Sequence, residues 1–225
     1  MMQDAATPKR SFMSTGMKEY FSSLRYSLFT MRRPLVGFWD LIHEGKGSMA
    51  AAHTIVALAI IVDIFTATST NFQFRNWYME NINIFMIAAQ ILLPILLWCV
   101  ANWSLTTLMD GKGRLRDIYM GTAYALAPMV IINAILIPLS HMITFDEGVM
   151  YWLLLSIGVL WFVMLLICAM MEIHDYTMTK TILSSIFTLV AIGIIVFVFV
   201  VFFAVVSDGV AYFVSLVQEA LFRMR

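Results

Sequence analysis

Positive charge is scarce along most of this chain. After position 48 it is carried only by Arg75, Lys112, Arg114, Arg116, Lys180, Arg223 and Arg225, against seven basic residues in the first 48. Acidic residues match the basic ones at 14 each, and zero net charge with no basic face leaves nothing to grip a nucleic-acid backbone. Charged residues make up 12% of the chain and hydrophobic residues 61%, too little polar surface to cover a soluble globule of 225 residues. Cysteine is rarer still. Cys99 and Cys168 both fall in apolar runs and read as small core residues, not as a disulfide or a metal site. His141, Asp146 and Glu147 share one short loop but lack a second histidine. HExxH and GxSxG are missing, and Gly45-Lys-Gly-Ser48 and Gly111-Lys-Gly113 fall short of phosphate-loop spacing. No catalytic residue, cofactor or metal is expected.

What the chain has instead is long apolar runs. About 20 such residues cross a 30 Å hydrocarbon core as a helix, and five runs are long enough: 49–69, 82–108, 119–140, 149–171 and 181–206. The expected fold is all-α, a polytopic membrane bundle of five transmembrane helices with amphipathic interfacial helices at both ends. In the polar arm, 1–48, Tyr20, Phe21, Leu24, Leu28 and Met31 recur at helical spacing while Lys18, Arg25 and Arg32 recur seven apart. That pattern predicts a helix lying on an anionic leaflet, ended by Pro34 and followed by a short link, Pro34 to Trp39. The first apolar block begins at Met49 and is too long for a signal core, which argues against a cleavable signal peptide. In the outer loop 70–81, Trp77 and Tyr78 suit the interface. After Asp208-Gly209, the tail 207–225 aligns Phe213, Val217, Ala220 and Leu221 opposite Gln218 and Arg225, as a second interfacial helix on the outer face.

Orientation follows from the cations. Placing the amino terminus inside puts eleven basic residues on the cytoplasmic side and three outside, so the expected topology is a plasma-membrane protein with its carboxyl terminus out. The inner rim then carries Asp110, Lys112, Arg114, Arg116 and Asp117 from the central turn beside Glu172, His174, Asp175 and Lys180, one mixed-charge patch and the candidate docking surface for a partner. Four of the polar residues at membrane depth pair by level. Asp63 and Asn133 sit at a similar level, and His53 and Asn102 share one near the inner face, giving two candidate contacts worth roughly 0.6 kcal/mol each in lipid. Pro94 should kink the second span near Gln90.

Several stretches together resemble the bacterial branch of the YIP family, the Ypt-interacting-protein type of five-span membrane proteins. They are Arg33 to Asp40 with His43 to Ser48, Leu97 to Gly113, Asp117 to Tyr119, Tyr124 to Pro128, His174 to Tyr176 with Lys180, and the closing Glu219, Phe222 and Arg223. The resemblance implies a cytosolic amino terminus, no catalytic chemistry and, from the company bacterial relatives keep, the subunits of a sugar ABC importer as partners. The Asp-Leu-Tyr-Gly-Pro signature of eukaryotic members is missing before the first span, which argues against a Rab-type GTPase partner. Two functions fit: a non-enzymatic membrane scaffold or accessory protein, or a small transporter or channel with a polar path through Asp63, Asn133, His53 and Asn102.

Overall fold

Ser48 shows how closely local chemistry sets the helix ends. Its side chain accepts the Ala51 N–H and caps the helix that follows, which spans Met49–Ser69 as the apolar run predicts. The computed structural model describes residues 12–74 and 83–223, so the expected Trp77–Tyr78 pair lies outside the described residues. These form α1 (Phe12–Arg32), α2 (Pro34–His43), α3 (Met49–Ser69), α4 (Ile84–Leu108), α5 (Leu115–Ala125), α6 (Ala127–Met142), α7 (Gly148–His174) and α8 (Met178–Arg223), with a short 3-10 turn at Phe145–Glu147. The fold is all-α among the described residues. Among the described residues, five segments are long and apolar enough to cross a membrane: Met49–Ser69, Ile84–Leu108, Leu115–Met142, Phe145–His174 and Met178–Glu219.

Four expectations change. Pro34 does not open a link; it occupies the first turn of α2, where its missing N–H would be unpaired anyway. Phe38 and Leu41 of α2 are then buried beneath the bundle. The third span breaks at Leu126 into α5 and α6, because Pro128 cannot donate to the ladder and its ring crowds the carbonyl one turn earlier. The fourth span continues through Glu172 and His174, so the connection to the fifth shrinks to Asp175–Thr177. The fifth does not stop at Asp208-Gly209 but runs as one 46-residue helix, α8, about 69 Å long at 1.5 Å per residue. A lone helical glycine costs only about 1 kcal/mol, and nothing packs against Gly209 to turn the chain. The amphipathic tail is the end of the same rod, with every residue from Val196 to Glu219 exposed.

The helix at the centre is α5. Ile118 and Met120 to Ala125 are all buried, and α3, α4 and α7 surround it. Small residues let it come close: a Cβ on Gly121 would sit 2.7 Å from Ile173 Cδ1, with Ala169 alongside. In lipid, such close packing replaces the hydrophobic drive that water supplies elsewhere.

Against this core α1 packs with an inverted face. Ser23, Ser27 and Thr30 point inward and are buried, while Met17, Phe21 and Leu28 are 50–61% exposed. Apolar side chains turned away from the protein suit a helix set in the membrane surface. Thr30 also meets Gly37, where a Cβ would come within 2.8 Å of the Thr30 backbone, so α1 and α2 fold back tightly on each other.

Candidate functional site

The central charged turn is built on two helix ends that terminate alike. After α4, Asp110 takes the left-handed conformation (φ 59°) and the Gly111 N–H returns to the Thr106 carbonyl at 2.8 Å. After α7, Asp175 does the same (φ 54°) and the Tyr176 N–H returns to Met171 at 3.1 Å. Both are Schellman endings with aspartate at the position glycine usually fills. The ends are tied together. The Met109 carbonyl accepts from the Tyr176 hydroxyl at 2.8 Å and from Lys180 Nζ at 3.1 Å, and that ammonium lies 4.0 Å from the Tyr176 ring centroid.

Under the turn sits His174, only 2% exposed. The Gly113 N–H donates to its Nδ1 at 3.3 Å, so that nitrogen is the acceptor and Nε2 carries the proton. Nε2–H donates to Asn102 Oδ1 at 2.9 Å, Asn102 Nδ2 donates to Thr188 Oγ1 at 3.2 Å, and Thr188 donates to the Ser184 carbonyl at 2.8 Å. This relay joins the turn to α4, α7 and α8 with every donor pointing one way, and it fits a neutral imidazole. The turn can close only because two residues lack side chains. A Cβ on Gly111 would lie 2.9 Å from His174 Nδ1, and one on Gly113 would lie 2.5 Å from both His174 Cε1 and Ile173 Cγ2.

The expected rim therefore divides in two. Asp110, Lys112, Arg114 and Arg116 are exposed, and Asp117 and Glu172 are half-buried. Lys112 Nζ pairs with Asp175 at 2.8 Å, a bond that holds the Asp175 carboxyl below its usual range and the Lys112 ammonium above its own. Both partners are open to solvent, so the pair steers the turn more than it stabilises it. His174 is not on this surface but beneath it.

The intramembrane residues pair differently from their depths. Asn102 bonds to His174 and Thr188 and not to His53, whose Nδ1 instead meets the Tyr119 hydroxyl at 2.8 Å. Asp63 and Asn133 are both half-buried, and no hydrogen bond joins them among the described residues. A cavity of about 760 Å³ opens between α4, α7 and α8, lined by Gln90, Trp98, Thr122, Phe162 and Ser185 among aliphatic side chains. None of the four polar residues lines it.

Two further clusters at the charged end escaped the sequence. The Tyr124 hydroxyl, buried in α5, lies 2.7 Å from Ser23 Oγ of α1, and the Ser48 N–H donates to it at 3.4 Å. In the second cluster Asp40 accepts from the Tyr26 hydroxyl and from Lys46 Nζ, both at 2.7 Å. The Lys46 bond, then the Tyr26 bond, hold the Asp40 carboxyl below its ordinary 3.8. Burial, then the Asp40 carboxylate, push the Tyr26 phenol from 10.0 up to about 12. Asp40 thus stabilises the arm above its ordinary value and loses this as pH falls through its lowered one. Tyr26 contributes below pH 10, and that contribution fades as pH rises through about 12. In a 295 nm titration, Tyr26→Phe should remove a phenol that ionises near 12; loss of one near 10 would contradict the bond.

Among the described residues, no three His, Cys, Asp or Glu side chains gather to hold a metal ion. A family model described as the Yip1 domain matches residues 29–200, from the end of α1 through the packed part of α8. No curated protein and no solved structure matches the chain.

Proposed function

The chain belongs to the Yip1 domain family, and from that membership we propose that it is a non-enzymatic integral membrane scaffold or accessory protein. In this reading residues 1–48 form the cytoplasmic arm, 49–206 the five-span domain and 207–225 an extracytoplasmic tail, in the plasma membrane. The observation that carries it is the seating of the central turn. His174 and Met109 fix its backbone from below, while Asp110, Arg114 and Arg116 stay exposed above. A loop held rigid with its charges outward is pre-organised for binding, because little ordering entropy remains to be lost on contact. The partner we propose is another membrane protein, with sugar ABC importer subunits first, on the strength of the resemblance to bacterial relatives. A Rab-type GTPase lacks its signature here.

Reversing Lys112, Arg114 and Arg116 to glutamate should remove the co-purifying partner from a mild-detergent pulldown while thiol labelling reports unchanged topology. A partner retained at full yield would refute the docking role. If the protein instead inserts inverted, the cations only set orientation.

A second reading, transport, is favoured by one observation. Asp63 is a half-buried carboxylate at membrane depth with no hydrogen-bond partner among the described residues. Flux in proteoliposomes that vanishes in Asp63→Asn would establish it.

A further inference from the structure

Beneath the inverted helix α1 lies a groove that the scaffold reading does not use. It encloses about 470 Å³ and is lined by Phe21, Leu24, Arg25 and Leu28 of α1, Ile55 and Leu58 of α3, and Val130 and Ile131 of α6, among others. That volume is within the range of about 300–1,000 Å³ typical of sites for small ligands. Its depth is fixed by α3, where Ile55 and Leu58 come roughly 9 and 14 Å below Met49 by helical rise, so it faces the acyl region of the leaflet at the charged end. Phe21, Leu28, Leu58 and Ile131 are each at least 38% exposed, so the groove is open on the lipid side.

What occupies it is indicated by charge. Arg25 is the only ionisable residue in the lining. Lys18 and Arg32 stand seven residues to either side of it, on the same face of α1. Among the described residues none of these three pairs with a carboxylate, whereas Lys46 and Lys112 at the same end are both paired. A free guanidinium above an aliphatic slot matches a phosphodiester above an acyl chain, the guanidinium donating two parallel N–H bonds to phosphate oxygens. We propose that the α1/α3/α6 groove is a specific site for one anionic phospholipid, with a tail between Leu24, Ile55 and Val130 and its phosphate on Arg25. Zwitterionic lipids fit less well, because along α1 the three cations Lys18, Arg25 and Arg32 stand against only one carboxylate, Glu19.

The test is native mass spectrometry of the delipidated full chain with phosphatidylglycerol or phosphatidylcholine of identical chains. One phosphatidylglycerol per chain should be retained at least fivefold better than phosphatidylcholine. Arg25→Ala should abolish this preference and Arg25→Lys should keep most of it; Val130→Trp, which fills the slot, should remove tight retention of both lipids. Equal retention of the two lipids by the unsubstituted chain would overturn the proposal. So would a preference that survives Val130→Trp, since headgroups would then be drawn to a cationic helix surface without a seated tail. Arg25 is exposed, so its variants report binding and not folding.

Discussion

Tyr124→Ala should be the most damaging single substitution in this protein, costing about 3–5 kcal/mol on the precedent of large aromatic truncations in close-packed interiors. Tyr124 is fully buried in the central helix and is among the largest side chains so enclosed. Its hydroxyl also joins α5 to Ser23 of α1 and to the Ser48 N–H at the start of α3. Tyr124→Phe separates the two contributions. It keeps the ring and should cost about 1–3 kcal/mol, the range for leaving buried polar partners unsatisfied. Hydrogen exchange should localise the loss, with α1 amides exchanging sooner in Tyr124→Phe while α4 and α7 stay protected. Uniform loosening of all helices would show that the hydroxyl does not fasten the arm.

Gly113→Val should unseat the charged turn. The new side chain would start 2.5 Å from His174 Cε1 and Ile173 Cγ2, and both are held by packed helices. Overpacking costs about 1–3 kcal/mol, and the Gly113-to-His174 bond adds about 0.5–1.5 kcal/mol if it breaks. Two readouts should move together: the detergent melting temperature falls, and trypsin gains access after Lys112, Arg114 and Arg116. His174→Ala provides the check. It makes room for the added side chain, so the double variant should be more stable than the sum of the singles predicts. Strict additivity would mean that the valine and the imidazole do not meet.

The spans were legible because bilayer thickness is a length that sequence states directly. Met49–Ser69 agrees residue for residue, since Ser48 is an ordinary N-cap before an apolar run. Pro34 misled because proline both ends helices and begins them, and only the burial of Phe38 and Leu41 tells which. Depth misled for His53 and Asn102: counting residues gives the level of a side chain but not its azimuth, and azimuth put Asn102 against α7 and α8. The burial of His174 escaped for another reason. Between Ile173 and Asp175, close to Glu172, it reads as a surface residue, and the sign that a ring lay beneath the turn was the pair of glycines flanking Lys112. The fastening role of Tyr124 was not legible, because hydroxyl partners 76 and 101 residues away leave no local trace.

α8 has one more consequence. From Val196 to Glu219 no other part of the described protein covers it, so any protection its amides show beyond that of their own helical hydrogen bonds must come from the surrounding bilayer. Read residue by residue, the point along this rod where that added protection ends would mark where hydrocarbon gives way to water. The same chain placed in thin and thick membranes would then serve as its own depth gauge.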